Sequence, residues 1–141
     1  MTTTVRRLAS IGAPAALALA LSTAASAEVA VQAGASGPQA VTGLTDPADP
    51  GCAYLAYRGS VAQRKFAKDG MTIDGFILEQ ADGTRMSIDV YLPDDLARAP
   101  RMTAMQALQA LLKEGSPVAG RAQACGSGPI IMLDSVARTT K

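Results

Sequence analysis

The stretch Arg85–Gly115 reads RMSIDVYLPDDLARAPRMTAMQALQALLKEG, and its hydrophobic period changes once along the way. Met86, Ile88, Val90 and Leu92 stand at alternate positions, with Arg85, Ser87, Asp89 and Tyr91 between them. A period of two is that of a strand with one face buried, so a half-buried strand is expected over Arg85 to Leu92. Pro93-Asp94-Asp95 and Ala99-Pro100 break the pattern. From Arg101 to Glu114 the apolar residues Met102, Met105, Leu108 and Leu112 recur three or four apart, with Ala104 and Leu111 beside them. That spacing predicts an amphipathic helix, capped by Gly115 and prevented from continuing by Pro117. The stripe Met102, Met105, Leu108 is read as the plug that the helix turns toward the sheet.

Working outward, Ala53 to Lys65 contains Tyr54-Leu55-Ala56-Tyr57 and then Val61, a long strand expected to bend near Gly59. Met71 to Gln80 is a second strand, with Phe76 and Leu78 on one face, and Ala81-Asp82-Gly83 is the hairpin turn into Arg85. Beyond the helix, Val118 to Cys125 and Ile130 to Ala137 read as two more strands joined through Gly126-Ser127-Gly128. The fold class is therefore mainly β with one helix (α+β), in the order β-β-β-α-β-β. The domain is expected over 52–138, with a tail at 139–141.

The N-terminal end has a different character. Met1 to Arg7 carries two positive charges and no negative one, and Ile11 to Leu21 is almost wholly apolar, as in a secretory signal. Ala25-Ser26-Ala27 fits a small-x-small cleavage site, so 1–27 is expected to be removed by cleavage between Ala27 and Glu28. The apolar run contains Gly12 and Pro14 and is shorter than the roughly 20 residues that a spanning helix needs. Export by the general or the twin-arginine route stays open, because Arg6-Arg7 lacks the usual bulky context. The segment 28–51 is rich in Ala, Gly and Pro, has no aromatic residue, and is expected to be a flexible arm.

Removing 27 of 141 residues leaves 114, enough for one modest core. Two of the 13 basic residues leave with the signal, so 11 face 12 acidic ones. That balance argues against general nucleic-acid binding, which needs an excess of cations. Cys52 and Cys125 are the two cysteines, and in an oxidising compartment they are expected to pair. The bridge would close a loop of about 70 residues, worth roughly 4 kcal/mol in the chain-entropy model.

Three strands, a helix and two strands resemble an OB-fold, a small five-stranded Greek-key barrel with its helix between strands three and four. The resemblance is to exported bacterial OB-fold proteins of the cell envelope and covers residues 52 to 137. It implies that the first and fourth strands run side by side, so that Cys52, opening one, lies beside Cys125, ending the other.

Histidine is absent from the chain, which excludes the usual general base, the Ser-His-Asp arrangement and ordinary zinc sites. With both cysteines bridged no thiol nucleophile remains, and no phosphate-cradling glycine motif is present; no cofactor and no catalytic residue is expected. Three groups of residues remain. Arg58, Arg64, Lys65 and Lys68, with Phe66 among them, lie along the first strand and the loop after it, where cations and a ring would meet an anionic ligand. The plainer alternative is a solvated loop that keeps a strand edge soluble. Tyr57 and Tyr91 are aromatic candidates for stacking on a ligand, or else cover the wall of the barrel. Asp89, Asp94, Asp95 and Asp134 are weak candidates for Ca²⁺, although acids beside Pro more often mark turns.

The expected function is a non-catalytic binding or interaction module of the envelope, its partner an envelope protein or a small anionic ligand. Two alternatives stay open: a structural envelope protein, and a divergent Ca²⁺-dependent nuclease using Asp89, Asp94 and Arg85. Staphylococcal-type nucleases share the barrel, and Arg85 and Asp89 fall on the strand where they keep an Arg and an acid, but with the spacing off by one.

Overall fold

A computed structural model describes residues 28–46, 50–126 and 130–140. In chain order the elements are β1 (Ala30–Gly34), β2 (Gly37–Thr42), β3 (Cys52–Phe66), β4 (Ile73–Glu79), β5 (Arg85–Asp89), α1 (Arg98–Leu111), β6 (Pro117–Cys125) and β7 (Ile131–Arg138). All seven strands belong to one sheet.

The burial alternation expected over Arg85–Leu92 holds, but the strand itself stops at Asp89. Ile88 and Val90 are buried, Met86 and Leu92 pack partly against the core, and Tyr91 is exposed. β3 is long because it serves two neighbours in turn. Cys52 to Ser60 pairs antiparallel with β6, and Ser60 to Phe66 pairs antiparallel with β4. The exchange happens at Gly59–Ser60, where a Cβ on Gly59 would strike the backbone carbonyl of Glu79. Glycine lets the strands approach there, and two register shifts farther along β3 complete the turn of the ribbon.

From β4 the sheet passes antiparallel to β5, and β5 then pairs in parallel with β7 through Asp89 and Met132. β7 runs antiparallel to β6, and β6 returns to β3. The pairings of β3, β4, β5, β7 and β6 thus lead back to their starting strand. Cys52 and Cys125 are register partners with Cα atoms 4.0 Å apart, and they form a disulfide across a sequence separation of 73.

The sheet has seven strands where five were expected, and the two extra ones lie in 28–51, the segment read as a flexible arm. β1 and β2 form a hairpin, and β2 docks on the end of β7 through Ala40–Ala137 and Val41–Val136. Val41 and Leu44 are buried in the core. Local composition misleads here because what orders this segment is a distant strand edge and an apolar face supplied by the rest of the molecule, neither of which local propensity records.

The helix departs from expectation in its start, in its end, which comes at Leu111 with Leu112 and not Gly115 as the cap, and in the Met102 end of its face. It begins at Arg98, so Pro100 is inside the first turn, where an N–H has no intrahelical acceptor and its loss breaks no bond. The Arg101 guanidinium donates to the carbonyls of Pro93, Asp94 and Leu96 and ties down the preceding loop. The buried face is Ala104, Ala107, Leu108 and Leu111, followed by Leu112, whereas Met102 is 51% exposed. The small alanines let the helix lie close to β2, β1, β4 and β7, so the face centres on them and the Met102 end of the stripe turns outward.

The expected signal 1–27 and its last residue Ala27 lie outside the described residues. Among those described, no helix is long and apolar enough to cross a membrane.

Candidate functional site

Lys65, Gly75 and Asp89 are register partners across β3, β4 and β5. Gly75 has no side chain to stand between its neighbours: a Cβ there would come within 3.3 Å of Lys65 Cδ and 2.9 Å of the Ile88 carbonyl oxygen. The lysine stem therefore lies across the glycine, its ammonium donating to Ser87 Oγ and standing 4.0 Å from Asp89 Oδ1. On the same three-stranded region Arg85 Nε pairs with Glu79 Oε2 at 2.9 Å. Both pairs are solvated and add little stability, but each cation has an acid beside it.

Arg64 and Phe66, two residues apart on β3, interact with each other. The guanidinium sits 5.3 Å from the ring centroid, and the ring is 43% exposed. Arg64 Nε is buried and lacks a hydrogen-bond partner among the described residues, while its backbone N–H approaches Glu114 Oε1 at 3.5 Å. Lys68 is exposed on the loop after β3. Arg58 lines a separate groove of about 580 Å³ with Ser60, Glu79, Gln80, Pro117 and Thr139. The four cations picked from the sequence are thus spread over distinct surroundings, and a single basic patch is not what the fold builds from them.

The two tyrosines diverge. Tyr91 is 58% exposed just beyond β5. Tyr57 is buried, edge-on to Phe76 at 6.4 Å between centroids, and its hydroxyl donates to the Ser135 carbonyl oxygen at 2.8 Å. Room for that hydroxyl exists because residue 120 is glycine, whose absent Cβ would lie 2.7 Å from it. Burial, and then the negative charge of Asp134, push the Tyr57 phenol well above its ordinary value of 10.0. Tyr57 therefore belongs to the core and offers no face to a ligand.

The four acids do not gather either. Asp89 is occupied by Lys65, Asp94 and Asp95 are exposed in the turn before α1, and Asp134 is 1% exposed on β7. Among the described residues, no three His, Cys, Asp or Glu side chains are arranged to hold a metal ion. Asp134 instead anchors a polar cluster. Its Oδ1 accepts from Thr45 Oγ1 at 2.5 Å and its Oδ2 from Arg121 Nε at 2.7 Å. The Arg121 guanidinium stacks 4.1 Å from the Tyr54 ring centroid, and Leu44 N donates to the Asp134 carbonyl oxygen. Gln123 Nε2 reaches the Asp46 carbonyl oxygen at 3.0 Å. These contacts fasten the chain after β2 onto the outside of β6 and β7. The comparisons add no relative. No family model, curated protein or solved structure matches this chain.

Two groups escaped the sequence reading. The Arg121–Asp134 pair was visible as a charge in each of the last two strands, yet nothing in the spacing tells which strand charges face one another. The second is a groove of about 220 Å³ between the β3–β4 loop and α1, lined by Met71, Thr72, Met102, Met105, Gln106 and Gln109. Its signal was the pair Met102 and Met105, assigned above to the interior.

Proposed function

We propose that this protein is an exported, non-catalytic binding module built on an OB-like barrel, with its ligand face on β3, β4, β5 and the loop 67–72. The observation that carries the reading is the cycle of strand pairings, numbered first-second-third-fifth-fourth-first within β3 to β7, with α1 between the third and fourth. That order, including the one parallel contact between third and fifth, supports the OB-like reading. The bridge between the first and fourth of these strands agrees with it, and a disulfide is at home in an oxidising compartment.

Phe66, at the end of β3 two residues before Lys68, and Tyr91, just beyond β5, are exposed rings that supply flat apolar area for stacking. Lys65 and Arg85 are matched by Asp89 and Glu79, so the face favours a polar ligand of low charge, or a peptide segment of an envelope partner, over a polyanion.

The test is a thermal-shift screen of the mature chain against envelope-type glycans and peptides, followed by affinity measurement on Phe66→Ala and Tyr91→Ala. Loss of one stacking ring should weaken a genuine ligand by about tenfold. Ligands that bind both variants as tightly as the parent protein would move the site elsewhere. Cleavage of single-stranded DNA with Ca²⁺, abolished by Asp89→Asn, would replace the non-catalytic reading by the nuclease.

A further inference from the structure

Three of the six methionines in the chain, Met71, Met102 and Met105, line the one small groove between the β3–β4 loop and α1. Met102 and Met105 stand three apart on the helix and so share a side of it. Met71 faces them from the loop, and the loop is fixed there by several bonds. Gln109 Nε2 donates to the Met71 carbonyl oxygen at 2.9 Å. Asp69 Oδ1 accepts from the backbone N–H of both Met71 and Thr72 at 2.8 Å, and its Oδ2 accepts from the Thr72 hydroxyl.

Met105 packs partly against the core, but packing does not account for the other two. Met71 is 73% exposed and Met102 51% exposed, so neither fills a core gap, which is the common use of methionine. The rest of the lining, Thr72, Gln106 and Gln109, is neutral and carries no imidazole, carboxylate or ammonium. A set of neutral thioethers discriminates against hard divalent ions such as Mg²⁺ and Ca²⁺, which demand oxygen ligands, and selects soft monovalent ones. A groove of about 220 Å³ also suits an ion better than a partner helix, whose stable docking needs a surface far larger.

We propose that Met71, Met102 and Met105 form a three-thioether site for a soft monovalent cation, Cu(I) or its surrogate Ag(I). The site shares the loop 67–72 with the ligand face described above, but it rests on the three thioethers and α1 and stands whether or not that face is correct. Binding is a coordination step only: three sulfur lone pairs are donated, and no electron or proton is transferred.

The experiment titrates the mature, disulfide-bonded protein with Ag(I) in chloride-free buffer, and with Cu(I) held reduced by ascorbate. Native mass spectrometry reads the stoichiometry, and NMR of ¹³C-labelled methionine methyls reads which sulfurs respond. One ion per chain is expected, with shifts at Met71, Met102 and Met105 and none at Met86 or Met132. Leucine keeps the size and apolarity of methionine and removes the sulfur, so M71L, M102L and M105L distinguish coordination from greasy contact. Each should weaken binding by about tenfold, and the triple variant by about a hundredfold or more. M71L changes only an exposed loop residue and keeps the test valid if the triple variant folds poorly. No 1:1 complex, an undiminished affinity in M71L and the triple variant, or shifts centred on Met86 or Met132 would each overturn the proposal.

Discussion

Asp134 is a carboxylate at 1% exposure with one charged partner, and the partner is half in water: the Arg121 side chain is 54% exposed. The acid depends on the arginine more than the reverse. Arg121→Ala leaves a buried charge with only the Thr45 hydroxyl, and we expect a loss of about 2 kcal/mol in urea unfolding, less than for a fully buried pair because water can enter from the arginine side. A loss indistinguishable from that of an exposed control such as Arg85→Ala would show that the cluster is ornamental. Tyr57 makes a different prediction. Its phenol loses its proton more readily unfolded than folded, so its contribution to stability is complete below pH 10 and declines as the pH rises beyond that value. Tyr57→Phe should cost about 1 kcal/mol at neutral pH through the lost bond to Ser135 and should flatten the alkaline limb of the stability curve. Superimposable alkaline limbs would contradict the burial argument. Gly120→Ala presses a methyl toward the same hydroxyl and the Ser135 carbonyl, and should destabilise by about 1–3 kcal/mol.

Among the elements, those with strong internal periodicity were legible and those completed by others were not. β5 announced itself because every second residue from Met86 to Leu92 is apolar, and β3 and β4 followed from their aromatic and aliphatic runs. α1 was found, and Ala104, Leu108, Leu111 and Leu112 are buried as expected; only the Met102 end of the stripe was misplaced, because a large Met side chain scores as apolar in any pattern, while Ala107, which permits close approach, scores weakly. The β1–β2 hairpin was missed because Val41 and Leu44 are isolated apolar residues in a bland stretch, and only the edge of β7 and the core beneath α1 give them a function. The candidate site was the least legible part. Alternation reveals which side of a strand a residue takes but not which partner lies across it, so Asp89 standing beside Lys65 was not legible. Leu44→Ala tests the hairpin directly: a truly loose arm would tolerate it, whereas a core member should lose about 2–5 kcal/mol, read as a shift of the denaturation midpoint without change of slope.

For the whole molecule the Cys52–Cys125 bridge is the longest-range covalent constraint, and it joins register partners that hydrogen bonding already sets side by side. Removing it should act chiefly on the unfolded chain. With a sequence separation of 73, Cys52→Ser with Cys125→Ser is expected to lose about 4 kcal/mol while the amide exchange pattern of the folded sheet is retained. A collapse of protection at β6 and β3 would instead mean that the bond imposes the pairing.

The docking of β2 on β7 also has a consequence for how the protein comes into being. Val41 lies far upstream of its partner Val136, so a growing chain carries the hairpin long before the edge of β7 exists to receive it. The β1–β2 hairpin is consequently fully sheltered only once β7 has formed, a topology that favours slow, late closure over stepwise assembly from the front.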